Sequence, residues 1–154
     1  MLAVRRLALL LVVVFVLAAC GGSRKGGAST PPGTTTPNTA AEKAQIKSAY
    51  QKFFSGKTSV SDRVALLQNG SKFKPVIQAF ASNPLAKNVS VTVSSVKLQG
   101  ADNAKVVYTV KLGGTGLPRQ TGNAVRQNGT WKVGDASLCK LVSLQGSTPA
   151  VCKP

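Results

Sequence analysis

The segment VSVTVSSVKLQGADNAKVVYTVKL, residues 89–112, determines the fold predicted for this chain. Apolar and polar side chains alternate through residues 89–93, and the alternation resumes with the opposite phase after Ser94 and Ser95. A slip of one residue predicts a β-bulge within a strand over residues 89–99. After a turn at residues 101–103, a second strand is predicted over residues 105–112. The apolar face of that second strand carries Val106, Tyr108, Val110 and Leu112.

Two more strands are predicted on the C-terminal side of this segment. Residues 113–116 are glycine-rich and predict a loop, and residues 119–127 form the third strand. Asn128-Gly129 is a strong signal for a two-residue hairpin turn, so residues 130–133 return as the fourth strand. Residues 136–144 follow as a short helix or an irregular cap.

Three helices are predicted on the N-terminal side. The first begins with a capping box, Thr39 and Glu42, and is ended by Gly56. The second covers residues 62–68 and the third covers residues 72–81. The buried face of the first helix is given by its helical spacing: Ile46, Ala49, Tyr50 and Phe53.

Helices followed by an antiparallel meander predict an α+β fold, with the N-terminal helices packed on one face of a curved four-stranded antiparallel sheet. This arrangement resembles the cone-shaped nuclear transport factor 2-like folds, which curve a sheet around a pocket. The predicted bulge at Ser94 and Ser95 supplies the curvature.

The N-terminus carries an export signal. Arg5 and Arg6 precede an apolar run over residues 7–19, and Leu17-Ala18-Ala19-Cys20 resembles the lipobox of bacterial lipoproteins. The run is shorter than the roughly 20 apolar residues of a membrane-spanning helix. We therefore expect a lipoprotein signal peptide over residues 1–19, lipidation of Cys20, a Gly/Ser/Thr/Pro-rich tether over residues 20–38 and a folded domain over residues 39–154. The expected location is the outer face of the cell membrane, with release into the medium as an alternative.

The two remaining cysteines, Cys139 and Cys152, predict a disulfide bond. Lipid occupies Cys20 in this interpretation, which leaves an even number of thiols in an oxidising compartment. The chain contains no histidine, so a metal site or a redox site lacks partners for these thiols.

The charge balance is strongly basic. Twenty Lys and Arg stand against four Asp and Glu, which gives a formal net charge of +16. The basic residues are scattered, and aromatic residues are not interleaved with them, which argues against nucleic-acid binding. Attraction to an anionic lipid or to a cell-wall polymer remains open, as does a solvated basic surface without a specific partner.

Catalytic chemistry has little support in the sequence. Because the chain has no histidine, a general base would have to be one of its four acids, and each of these fits a helix cap or a turn. Asp135, with Tyr108 as a proton donor, is the best pair available for an isomerase or dehydratase reaction. We therefore expect the protein not to be an enzyme and to need no cofactor.

A ligand site is predicted around Arg126, Trp131 and Tyr108. If Asn128-Gly129 closes a two-residue turn, Trp131 lies opposite Arg126 on one face of the sheet, and the cation can stack on the indole or meet an anionic ligand. The alternative is that Trp131 and Tyr108 belong to the core and that Arg126 covers its edge.

Several segments together resemble the low-molecular-weight secreted antigens of mycobacteria and related actinobacteria. The segments are residues 64–70 (VALLQNG), 73–77 (FKPVI), 83–86 (NPLA), 117–122 (LPRQTG), 128–133 (NGTWKV) and 137–139 (SLC). The resemblance covers about residues 39–144. It implies an exported protein of the cell envelope without an established enzymatic activity.

Three functions follow, in order of preference. The first is a non-catalytic envelope lipoprotein whose α+β domain binds an envelope lipid, an anionic polymer or a protein partner. The second is a structural or interaction antigen without a ligand pocket. The third is an isomerase or dehydratase.

Overall fold

The structure, a computed structural model, describes residues 39–143, 146 and 148–153. The predicted signal peptide, Cys20 and the tether lie outside the described residues. Within the described residues, no helix is both long enough and apolar enough to cross a membrane.

Three α-helices precede the sheet, as predicted, and a fourth follows it. They are α1 (Thr39–Phe54), α2 (Val60–Leu66), α3 (Lys74–Ser82) and α4 (Asp135–Ser143), with 3-10 turns at Gly70–Phe73, Pro84–Asn88 and Ala150–Cys152. The buried face of α1 consists of the four residues predicted from helical spacing and, in addition, Phe54.

The bounds of α2 differ from the predicted 62–68 at both ends. The helix begins at Val60 because the Ser59 hydroxyl caps it by accepting a hydrogen bond from the Asp62 backbone N–H at 3.1 Å. It ends at Leu66 because the backbone of the next two residues pairs with β5 of the sheet (Thr130–Val133). Leu67 forms a bridge with Val133, and the Gln68 N–H donates to the Val133 carbonyl at 2.8 Å.

The start of α3 was also predicted too early. Residues 72 and 73 belong to the 3-10 turn Gly70–Phe73, and the α-helix begins at Lys74 without a side-chain cap from Ser71. Pro75 lies in the first turn of α3, where a missing N–H costs no helical hydrogen bond.

The strands form one antiparallel sheet. They are β1 (Val89–Leu98), β2 (Asn103–Leu112), β3 (Thr115–Gly116), β4 (Gln120–Gln127) and β5 (Thr130–Val133). The spatial order is β1-β2-β4-β5, and β3 pairs with β2. The predicted α+β fold, with helices on a curled antiparallel sheet, is confirmed.

The predicted bulge lies in β1. Val93 pairs with Tyr108, but the next pair along the ladder is Ser95 with Val107, so Ser94 is the extra residue. The bulge restores the apolar face after the slip, since Val96 and Leu98 are half-buried while the residues between and before them are exposed.

The short strand β3 was missed, because residues 113–116 were predicted as a loop. Gly113 and Gly114 have positive φ angles of 56° and 92° and form the tight turn after β2. The returning chain pairs with β2 twice, first as β3 and then as β4. Pro118 lies in the interruption between them, where its missing N–H is tolerated.

A buried hydrogen-bond network holds α1 to the sheet. The Tyr50 hydroxyl donates to the Asn123 carbonyl at 2.6 Å and lies 3.1 Å from the Ser137 hydroxyl oxygen. Ser137 Oγ in turn accepts from the Asn123 N–H at 2.9 Å. The network therefore joins α1, β4 and α4. Gly122 makes room for it, because a Cβ there would lie 2.5 Å from Ser137 Oγ.

A disulfide bond joins Cys139 in α4 to Cys152 in the last 3-10 turn, with a Cα–Cα distance of 5.4 Å. This is the pairing predicted from the cysteine count. It closes a short loop and fixes the C-terminal segment against α4.

The two buried tyrosines provide a matched pair of substitutions. Tyr50 and Tyr108 are both fully buried and their rings lie 5.2 Å apart, but the Tyr108 hydroxyl has no partner among the described residues. We expect Tyr50→Phe to lower the free energy of unfolding by about 1–2 kcal/mol, because it removes the hydrogen bonds that the buried Tyr50 hydroxyl makes with the Asn123 carbonyl and with Ser137 Oγ. We expect Tyr108→Phe to cost less than about 0.5 kcal/mol or to stabilise, because it removes an unpaired hydroxyl.

Urea unfolding of both variants with the disulfide intact tests this prediction. An equal loss of stability in the two variants contradicts it.

Candidate functional site

An apolar cavity of about 380 Å³ lies at the end of the sheet where β1 begins and β2 ends. Its volume falls in the range of roughly 300–1,000 Å³ that is typical of ligand pockets. Its walls come from the C-terminal end of α1, from α2, α3, α4, β1 and β2, and from the chain between β3 and β4. The lining residues are Phe53, Phe54, Arg63, Ile77, Phe80, Val89, Val110, Leu112, Leu117, Pro118, Gln120, Leu138, Leu141 and Val142.

The wall and the mouth of the cavity are distinguished by exposure. Most lining side chains are buried or half-buried, but Leu117 and Pro118 are exposed, with Leu117 at 37%. These two residues lie in the interruption between β3 and β4. The break in the sheet edge therefore forms the mouth of the cavity.

One charged side chain lines the cavity. Arg63 is only 2% exposed although it lies on a short helix at the surface of the fold. Its Nη2 donates to the Ser55 carbonyl at 2.7 Å, and the guanidinium carbon lies 5.4 Å from the centroid of the Phe80 ring. Nε and Nη1 are buried and have no hydrogen-bond partner among the described residues. Burial lowers the pKa of Arg63 from its ordinary value.

None of the four acidic side chains of the chain lines the cavity or pairs with Arg63. Glu42 is bonded to Arg126, Asp62 accepts from the Ser59 hydroxyl, and Asp135 accepts from the Asn69 amide. Asp102 is exposed in the turn between β1 and β2. The guanidinium therefore has no counterion within the described part of the chain.

Arg126 and Trp131 lie together, away from the cavity. They are directly opposite each other on β4 and β5, and the guanidinium carbon lies 4.9 Å from the centroid of the indole ring. The same guanidinium pairs with Glu42 of α1. Trp131 is 3% exposed. The contact lies near the start of β2, whereas the cavity lies at its end, so neither residue lines the cavity.

Tyr108 has different neighbours. Its ring lies 5.2 Å from that of Tyr50 and stacks on Phe54 at 5.7 Å. Burial raises the pKa of Tyr108 to about 12, so the phenol is neutral near pH 7. Tyr108 packs beside the cavity-lining Phe54 without lining the cavity itself.

Comparison with known proteins supports the resemblance read from the sequence. Residues 39–149 match the family model described as low molecular weight antigen MTB12, C-terminal domain. The chain belongs to this family. The match begins at the first residue of α1 and ends between α4 and the terminal 3-10 turn.

No curated protein matches the MTB12-family chain. Among solved structures, it is similar to a putative NTF2-like transpeptidase from Campylobacter jejuni, with a TM-score of 0.39 and 12% identity. That match covers 65% of this chain and 98% of the other. No property of that protein is transferred to this chain.

Arg63 of the MTB12-family domain was missed at the level of sequence. It lies four residues before Leu67, which is fully buried, and three residues after Val60, which packs against the core. In a helix, spacings of three or four residues place side chains on one face, and the helix predicted over residues 62–68 includes both Arg63 and Leu67. The signal in the sequence was therefore a basic residue at helical spacing from apolar residues.

The alternative catalytic pair is not brought together by any contact in the structure. Asp135 accepts hydrogen bonds from the Asn69 amide at 3.1 Å and from the Ala136 backbone N–H at 2.8 Å, as a residue at the start of a helix does. Tyr108 packs between Tyr50 and Phe54. Within the described residues, no group of three His, Cys, Asp or Glu side chains could hold a metal ion.

Proposed function

We propose that this MTB12-family protein is a non-catalytic envelope lipoprotein whose α+β domain binds a small apolar or amphipathic molecule in the cavity. The observation that carries the proposal is a cavity of about 380 Å³ that opens to the surface at Leu117 and Pro118 and is lined mostly by aromatic and aliphatic side chains. A concave apolar site of this volume is typical of small-molecule pockets.

The chemistry of the wall favours a hydrocarbon. Water is a poor occupant of a cavity lined by Phe, Leu, Ile and Val, because it finds few hydrogen-bond partners there. An aliphatic chain gains about 25 cal/mol for each Å² of apolar surface that leaves water. The exposed position of Leu117 and Pro118 at the mouth gives such a chain a route from the surface.

The polar residues of the wall support binding rather than catalysis. They are Arg63 and Gln120, and the Gln120 amide already donates to the Pro118 carbonyl at 3.0 Å. Neither side chain is suited to accept a proton near pH 7. Among the described lining residues, no carboxylate, hydroxyl or thiol is available as a base or nucleophile.

The envelope location rests on the N-terminal sequence. We expect the predicted lipobox at Cys20 and the predicted tether over residues 20–38 to hold the domain outside the membrane on a lipid anchor. A domain held there meets lipids that are exchanging with the membrane. Membrane attachment and an apolar cavity are therefore consistent with one another.

The basic surface favours a second candidate, binding of an anionic cell-wall polymer. Lys97 lies directly opposite Lys105 on neighbouring strands, on the sheet face away from α1, and both are exposed. Like charges in this position repel each other, and a polyanion would relieve the repulsion. Retention on immobilised poly-glutamate that is lost in the Lys97→Gln/Lys105→Gln double variant would favour this candidate.

A cavity-blocking variant tests the first candidate. In the chain 21–154, which omits only the predicted signal peptide and Cys20, we expect Leu117→Trp to weaken binding of the uncharged probe N-phenyl-1-naphthylamine at least about fivefold, since the indole narrows the mouth. Leu85→Trp is the matched control, because Leu85 is 59% exposed and does not line the cavity. Probe fluorescence measures affinity, and native mass spectrometry of protein from an actinobacterial host looks for a carried ligand. Equal binding by the two variants contradicts the proposal.

Removal of the lipidated thiol tests the location. We expect the wild-type full chain to carry acyl mass on Cys20 and the Cys20→Ala variant to lack it, because the lipid is attached to the cysteine thiol. Fractionation followed by mass spectrometry measures the acyl mass of both chains. A wild-type chain without acyl mass on Cys20 would overturn the lipoprotein assignment.

A further inference from the structure

Arg63 gives the cavity a chemical preference that goes beyond the proposed function and rests on it. We propose that the ligand is an acidic amphiphile, an apolar chain with a carboxylate or phosphate head, and that the head accepts hydrogen bonds from Arg63. The three observations behind this inference are the burial of Arg63, the donors it leaves unpaired and the absence of an acid beside it.

The guanidinium is held in place by the protein but is not satisfied by it. The Ser55 carbonyl accepts from Nη2 at 2.7 Å, and the Phe80 ring lies at 5.4 Å on one side. These contacts fix the orientation of the group. Nε and Nη1 remain buried without a partner in the described chain. Tyr108, Arg126 and Trp131 each carry one buried polar atom without a partner as well, but of these four residues only Arg63 lines the cavity. A ligand in the cavity can therefore bring the acceptor that Arg63 lacks.

The positive charge of Arg63 needs a partner, as its unpaired N–H donors do. A buried cation is strongly disfavoured unless an anion lies beside it. Each of the four acids of the chain is engaged or exposed elsewhere, and none lines the cavity. An oxyanion would supply the missing charge and the missing acceptors at once, because carboxylate and phosphate oxygens form strong hydrogen bonds with arginine.

The rest of the wall determines the remainder of the ligand. Apart from Arg63 and Gln120, every lining side chain is apolar, and the Gln120 amide already donates to the Pro118 carbonyl. A free inorganic anion would use Arg63 and leave this surface empty. An uncharged lipid would fill the surface and leave Arg63 unpaired. A molecule that does both has one acidic end and one hydrocarbon end.

Ligands that differ only at the head group test the inference without any mutation. Chain 21–154 is titrated at low salt with dodecanoate, dodecyl phosphate, dodecanol and inorganic phosphate, each below its aggregation concentration, by displacement of N-phenyl-1-naphthylamine. We expect at least one of the two acids to bind at least about tenfold more tightly than dodecanol, and inorganic phosphate to displace nothing. The better of the two acids shows whether the head is a carboxylate or a phosphate.

Two arginine variants assign the preference to one residue. We expect Arg63→Met to bind the acid at least about tenfold more weakly and to bind dodecanol as the wild type does. Arg119→Met is the matched control, because Arg119 is exposed beside the mouth and does not line the cavity. It should keep the preference for the acid. In the absence of ligand, Arg63→Met should unfold at the same urea concentration as the wild type or at a higher one, because it removes a buried unpaired charge.

The outcomes separate this inference from the proposed function. If the acids and dodecanol bind wild type equally, the head-group assignment is overturned and the cavity remains a lipid site. If Arg119→Met loses the preference as Arg63→Met does, the general basic surface is responsible and the assignment to Arg63 is overturned. If neither the acids nor dodecanol bind, the proposed function fails and this inference fails with it.

Discussion

The Tyr50 hydroxyl is the interaction on which the arrangement of helix and sheet depends. It lies at 0% exposure and reaches from α1 to the Asn123 carbonyl of β4 and to Ser137 of α4. A buried hydroxyl is costly unless it is paired, so α1 is held at the depth and rotation that allow this pairing. Gly122 permits the close approach, since a Cβ there would overlap Ser137 Oγ and the tyrosine hydroxyl. Position and orientation of α1 are thereby fixed at the middle of the sheet.

The cavity follows from where this anchor lies. α1 crosses the sheet with Glu42 bonded to Arg126 near one end and with Phe53 and Phe54 at the other. At the first end, Trp131 and Arg126 fill the space between the layers. At the second end, the partner strand of β2 is interrupted between β3 and β4, and residues of α3 and α4 line the cavity together with residues of the sheet. The cavity therefore lies at the end of the sheet where the strand beside β2 is broken.

The composition of the chain explains the state of Arg63. With twenty basic residues and four acidic ones, few counterions are available. The one ion pair found in the described part of the chain joins Arg126 to Glu42, and that pair ties α1 to the sheet. Arg63 is left with a carbonyl and an aromatic ring, which orient it without neutralising it. The excess of basic residues thus has two consequences: a diffuse basic surface, and a buried arginine, Arg63, without a counterion in the described part of the chain.

The sequence was sufficient to predict those helices, strands and turns that depend on the pattern of neighbouring residues. The alternation in residues 89–112 identified two strands and their bulge, Asn128-Gly129 set Trp131 opposite Arg126, and helical spacing gave the buried face of α1. The last residues of α2, the short strand β3 and the cavity were decided only by tertiary structure. Leu67 leaves the helix because Val133 offers it a strand partner, and residues 115–116 form a strand because β2 lies beside them. The end of α2 and the strand β3 both depend on backbone hydrogen bonds to another segment of the chain. The periodicity of apolar residues within one segment does not predict such bonds. The helical spacing of Arg63 from apolar residues could have predicted its burial. Its role as a candidate binding residue could not be predicted, because only the tertiary structure places it at the wall of an apolar cavity.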